Sequence, residues 1–217
     1  MPRTVSLSST FRLLGKDLIK WHFYPDPNNL NQSERVVEVS LGRTLLKGNR
    51  EAKVLEVGNV MSQYIYEFPH PIVDKHDRSK NPLVQNVDIV DFTSEDRFDL
   101  ILSLSTLEHV GFNEEGIGDT RDEKPDPLKI LKAIQVMKDH LTPGGQIWVT
   151  WAFGANPALD DLVRDGTVAF PQEYFLDRTS AENDWMLCWK ETALAKKYGA
   201  PFPAGNALYI GNYKDPR

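Results

Sequence analysis

The chain of 217 residues carries 25 basic and 31 acidic side chains, for a formal charge of −6, and is 41% hydrophobic and 26% charged. That is the composition of an ordinary globular domain with a sizeable core, and its acidic balance offers no overall attraction to nucleic acid or an anionic bilayer. The single cysteine, Cys188, excludes an internal disulfide and any zinc site that needs two thiolates from one chain.

The opening stretch MPRTVSLSSTFRLLGKDLIKWHF lacks the continuous apolar segment of a secretory leader. No later run reaches the roughly 20 apolar residues that span a bilayer, so a cytoplasmic protein is expected. The N-terminal region reads as helical. After the breaker run YPDPNN, Asn31 and Glu34 stand at capping-box spacing, and Val37, Leu41 and Leu45 form an apolar stripe that ends at Gly48. Residues 1–50 are therefore expected to be a helical extension packed on a core of residues 51–217, the whole forming one structural domain.

From Lys53 the pattern changes to short apolar runs, each followed by Gly or Asp: KVLEVG, PIVD, LVQNVD, FDLILSLS and QIWVTW. Buried parallel strands have this pattern. SQYIYEF after the first run reads as a helix. In DPLKILKAIQVMKDHL, Asp126 caps, Pro127 suits the first helical position, and Ile130, Ile134, Met137 and Leu141 mark one face. Pro143, Gly144 and Gly145 are expected to stop that helix and to turn the chain into the fifth strand. WMLCWKE and ALYIGNY read as two further strands around a short helix, ETALAKKYG, closing the sheet as an antiparallel pair. The expected fold is α/β, a Rossmann-like three-layer sandwich with a mostly parallel seven-stranded sheet and an antiparallel C-terminal strand, its ligand crevice at the strands' carboxyl ends.

Several polar residues fall just after these strands. Glu56-Val57-Gly58-Asn59 enters a turn where glycine permits close approach of a ligand, without the G-x-G-x-x-G of dinucleotide sites or the GK[ST] of a P-loop. Asp74 ends the second strand, where a carboxylate can accept from both hydroxyls of a ribose. Asp88 ends the third, suited to an amino group of adenine, with Ile89 to cover the ring. FDLILSLSTLEHVG then leads into Glu108-His109, and LTPGG enters the fifth strand.

In this order the pieces resemble the successive motifs of class I S-adenosylmethionine-dependent methyltransferases, over about Lys53 to Trp151. The first motif departs from the family in keeping one glycine, Gly58, where two or three are usual. The resemblance implies S-adenosylmethionine as cofactor, held by Glu56, Gly58, Asn59, Asp74, Asp88 and Ile89, with Ser103 and Leu104 lining its methionine portion. His109 is the candidate base, since a hydroxyl acceptor must lose a proton and an imidazole titrates near neutrality. Glu108, Trp151, Phe153 and Asn156 are candidates for the acceptor site, and the acidic loop FNEEGIGDTRDEK for a lid over it. No metal is expected, because Glu108 and His109 alone make a poor site and the adjacent residues Asp74-Lys75-His76-Asp77 do not converge on one point. The expected activity is methylation of a small molecule, at a hydroxyl, with a sugar or carbohydrate intermediate as substrate. The alternatives are an NAD-dependent oxidoreductase or a non-catalytic binding or scaffold protein. Neither a nucleic-acid partner nor a membrane is expected, and the oligomeric state stays open.

Overall fold

The computed structural model describes residues 11–13, 17–19, 32–65, 67–78, 80–112 and 124–217. Strands β1 (Phe11–Leu13) and β2 (Asp17–Ile19) pair antiparallel, Phe11 opposite Ile19, where a helix is expected from the sequence. Helix α1 (Arg35–Gly48) carries the anticipated stripe, with Val36, Val37, Val39, Leu41, Leu45 and Leu46 buried. Its N-cap is Glu34 without a side-chain cap bond, and the Arg35 N–H donates to Ser33 Oγ instead. Asn31 lies outside the described residues.

Eight strands form the main sheet: β3 (Val54–Val57), β4 (Ile72–Val73), β5 (Val84–Gln85), β6 (Phe98–Leu104), β7 (Leu141–Ala152), β8 (Gln172–Arg178), β9 (Trp185–Leu187) and β10 (Ala207–Lys214). Their order is β5-β4-β3-β6-β7-β10-β8-β9. The first four pairings are parallel and the last three antiparallel, so only β9 and β10 run against the rest. The two strands expected to pair with each other, β9 and β10, are separated by β8, which brings the count to eight.

Alternation across the central strands sends side chains to two separate cores. Leu100, Leu102, Leu104, Trp148, Leu208 and Ile210 meet α1 on one face. Ile101, Ile147, Val149, Trp151 and Tyr209 meet the opposite layer of helices α2 (Pro127–Asp139), α3 (Pro157–Arg164) and α4 (Lys190–Leu194). Asp126 caps α2 as expected, accepting from the N–H groups of Leu128 and Lys129, with Pro127 at the first turn.

Two local expectations fail. SQYIYEF makes only a 3-10 turn, Met61–Gln63, whose opening N–H groups are capped by Glu56. Pro143-Gly144-Gly145 does not end α2, which stops at Asp139; it is an irregularity inside β7, where the register against β6 shifts between Phe98 and Leu100. Among the described residues no helix is long and apolar enough to cross a membrane.

Candidate functional site

A cavity of about 330 Å³ opens at the carboxyl ends of β3, β4 and β6, lined on its floor by Gly58, Asn59, Asp74, Asp88 and Ile89, and further on by Arg35, Ser105, Thr106 and His109. The turn after β3 is fixed by close packing. Gly58 has φ +86°, and a Cβ there would lie 1.9 Å from Thr106 Oγ1, so only glycine fits whatever the ligand. Every backbone N–H of the turn is already bonded: Gly58 donates to Val73 O (2.8 Å), Asn59 to Asp74 Oδ2 (2.7 Å), and Val60 and Met61 to Glu56 Oε1 (2.9 and 2.6 Å).

Glu56 is fully buried and does not line the cavity, a correction to its expected contact with cofactor. Its Oε1 caps the 3-10 turn by accepting the two N–H groups, while its other oxygen meets His70 Nε2 at 2.8 Å. His70 Nδ1 in turn lies 2.6 Å from Phe68 O, which ties the turn to the segment entering β4.

The two aspartates at the strand ends are more heavily engaged than the sequence suggests. Asp74 Oδ1 accepts from the N–H groups of His76 and Asp77 (2.9 and 2.8 Å), and Oδ2 from Asn59. A carboxylate offers about four lone-pair directions, so a single one remains, on Oδ2. Asp88 Oδ1 accepts from the Val90 N–H, and Oδ2 meets the ammonium groups of Lys129 (2.8 Å) and Lys75 (3.2 Å). Burial alone would raise the Asp88 carboxyl, but these lysines and the N–H hold it below its ordinary value.

At the opposite end Arg35 projects from the start of α1. Its Nη1 lies 3.0 Å from Glu38 Oε2 as an ion pair, yet the geometry is not that of a hydrogen bond, and both atoms are buried without a hydrogen-bond partner among the described residues. Glu38 Oε1 accepts from the hydroxyls of Ser105 and Thr150, each at 2.6 Å. Ser105 holds φ +42°, a left-handed conformation uncommon outside glycine, at the mouth of β6. Glu108 lies just behind, buried, with Oε2 unpartnered among the described residues. Burial, then the charge of Glu38, push its carboxyl well above the usual carboxylate range, and burial followed by Glu38 also raises Glu34. Arg35, Ser105, Thr106 and Glu38 carry no motif signal; only the position of Arg35 and Glu38 on the buried stripe side of a helix N-terminus could have suggested them.

Other expected residues fall elsewhere. Ser103 and Leu104 are wholly buried within β6 and do not reach the cavity, which is lined instead by Ser105 and Thr106 one step beyond the strand. Trp151 stacks on Tyr209 (4.0 Å between centroids, 17° between planes), and Phe153 packs edge-on to the same ring, so both belong to the core under α2 and α3. Asn156 caps α3 by accepting from Ala158 and Leu159, and its amide donates to Glu108 O (3.0 Å). It supports the turn that carries Glu108 and His109 and does not line the cavity. The acidic loop residues 113–123 lie outside the described residues.

No protein-family model matches the chain, and no curated protein is significantly similar to it in sequence. Solved structures are similar in shape. The N-methyltransferase NodS from Bradyrhizobium japonicum, in complex with S-adenosyl-L-homocysteine, is 16% identical with a TM-score of 0.55, over 89% of this chain and 94% of that one. A second structure of NodS is 17% identical over 88% and 99%, with a TM-score of 0.48. The sugar N-methyltransferase KedS8 from Streptoalloteichus is 13% identical over 82% and 87%, with a TM-score of 0.42. The first likeness shows the fold alone: the chain shares the Rossmann-like α/β fold of the NodS structure, the class expected from the sequence.

Proposed function

We propose that the protein is an S-adenosylmethionine-dependent methyltransferase acting on a small molecule. The observation that carries this is one cavity at the carboxyl ends of the parallel strands that brings together Asp74, Asp88, Ile89, Thr106 and His109, in a fold shared with a protein crystallised with S-adenosylhomocysteine. The chemistry of these residues fits the cofactor. Asp74 retains an acceptor position for a ribose hydroxyl, Asp88 retains one on Oδ1 for an adenine amino group, and buried Ile89 offers an apolar surface to the ring. The cofactor supplies an electrophilic methyl group on a sulfonium. The protein's contribution is to hold the acceptor in line with that group and to exclude water from it.

His109 lines the cavity beside Thr106, where it can take the proton of a hydroxyl acceptor, and this favours oxygen as the methylated atom. A nitrogen acceptor is the second reading. It is supported by the likeness in fold to NodS, an N-methyltransferase. Incubation with S-adenosylmethionine and a panel of hydroxylated and aminated small molecules, read by gain of one methyl, tests both. His109→Ala should lower turnover of a hydroxyl acceptor by about 10²–10⁴-fold and leave affinity for S-adenosylhomocysteine intact. Unchanged turnover with chemistry limiting would remove His109 as base, and thermal stabilisation by NAD in place of the sulfur nucleotides would favour an oxidoreductase.

A further inference from the structure

We infer that the outer edge of the main sheet is an interface with a second copy of this chain, the two joined antiparallel along β9 about a twofold axis at Leu187. The case begins with the difference between the two edges of the sheet. An unpaired edge strand offers a row of N–H and C=O groups to any other strand, and proteins blunt such edges by brevity, proline or charge. The edge strand β5 is blunted, being two residues long with Pro82 just ahead of it. At the other edge, β9 and the two residues after it, Trp185-Met186-Leu187-Cys188-Trp189, contain no charge, proline or glycine. Met186, Leu187 and Trp189 are 54%, 51% and 82% exposed, which concentrates apolar surface on this one strand end.

The backbone and the flanking charges select the occupant. In an antiparallel ladder, alternate residues turn both of their backbone polar groups toward the same neighbour. The Thr179 N–H donates to Asp184 O, Met186 stands opposite Asp177, and the Cys188 N–H donates to Phe175 O, so Asp184, Met186 and Cys188 serve β8. The polar groups of Trp185, Leu187 and Trp189 therefore point outward, where β9 has no further neighbour among the described residues. Laid antiparallel on itself about Leu187, the segment pairs outward positions only with outward positions. Leu187 exchanges two hydrogen bonds with its counterpart, and each Trp189 N–H reaches the Trp185 carbonyl of the other copy. The Trp189 carbonyl already accepts from the Ala193 N–H at 3.1 Å, so the ladder ends there. The same register sets Asp184 opposite Lys190 on both sides of the axis, while Leu187 meets Leu187 and the exposed Trp189 lies against Trp185 of the second copy. A segment that is uncharged in the middle and ends in opposite charges is complementary to its own reverse, which an interface between two identical patches requires. Four strand spacings, roughly 19 Å, separate β9 from β6, so the cavities of both copies stay open.

Sedimentation equilibrium reads the association directly. The wild-type chain should be a dimer at about 100 µM, and Leu187→Lys, which sets two like charges on the axis at a half-exposed position, should be a monomer there. Its circular dichroism spectrum should match that of the wild type, which separates loss of the interface from loss of the fold. Lys190→Glu places like charges opposite Asp184 twice and should raise the dimer dissociation constant roughly 10-fold; adding Asp184→Lys restores opposite signs and should bring it back close to the wild-type value. This exchange reads the register and does not depend on how Leu187→Lys folds. A wild-type chain that is monomeric at this concentration, leaving the edge to some other partner, overturns the inference. So does a dimer that survives Leu187→Lys, or a charge exchange that does not recover what Lys190→Glu lost.

Discussion

Asp160, on α3, accepts the Gly154 N–H at 2.9 Å through Oδ2, while its Oδ1 is buried without a partner among the described residues. Burial is the main reason its carboxyl is pushed up to about 6 from 3.8. Below pH 4 the folded and unfolded chains both carry the proton. Between about 4 and 6 the unfolded chain ionises first, so stability falls as the pH rises, and above 6 the deficit is constant. Asp160→Asn keeps an oxygen for Gly154 and removes the charge. Its unfolding free energy should lose that pH dependence, and at neutral pH it should exceed the wild type by about 1–2 kcal/mol after allowance for partial exposure, as read by urea denaturation across the window. A parallel pair of curves would contradict the assignment. At this scale the sequence was most legible where a motif fixes a position, as at Gly58, Asp74 and Asp88. It was least legible where a role depends on partners distant in the chain, as at Arg35 with Glu108, or Glu56 with His70.

Among the strands of the main sheet, β8 is the one the sequence hid, and its end holds the start of α1 in place. QEYFLDR shows no apolar alternation, since only Leu176 and Arg178 are buried, and its place in the sheet is set by β10 on one side and β9 on the other. Arg178 at its end donates to the carbonyls of Gln32, Pro203, Ser180 and Ala181, joining the chain before α1 to the tail. Asn183 donates to Ser33 O, and the Gly205 N–H donates to Glu34. The residues just ahead of Arg35 are thus held by a region more than 140 positions away in sequence. Arg178→Ala removes the four bonds by which one guanidinium ties these segments together, and because the carbonyls of Gln32, Pro203 and Ala181 belong to exposed residues that water can serve, it should destabilise the fold by about 1–2 kcal/mol. It should also weaken S-adenosylhomocysteine binding beyond what the lower stability explains, measured by calorimetry well below the melting temperature. Unaltered affinity would mean that α1 is positioned without this clamp. The strands β3, β4 and β6 and the second half of β7 were legible because each is an apolar run buried almost throughout, whereas the edge strand β5 is marked only by the residues that follow it. The helix expected in SQYIYEF is reduced to one 3-10 turn, capped by a carboxylate from β3 that no local pattern reveals.

For the whole molecule, two cores on opposite faces of one sheet hold the strand ends in register, and the cavity forms where β3, β4 and β6 stop. The fold class and the place of the crevice follow from the alternation of apolar runs and from parallel topology alone. The antiparallel arm β10-β8-β9 does not, since its order depends on which strand inserts where. The central claim is that this crevice takes S-adenosylmethionine, and calorimetric titration with S-adenosylhomocysteine tests it most directly. The wild-type protein should bind one equivalent, Asp74→Ala should lose most of that affinity, and NAD should give no heat. Heat with NAD and none with S-adenosylhomocysteine would contradict the account.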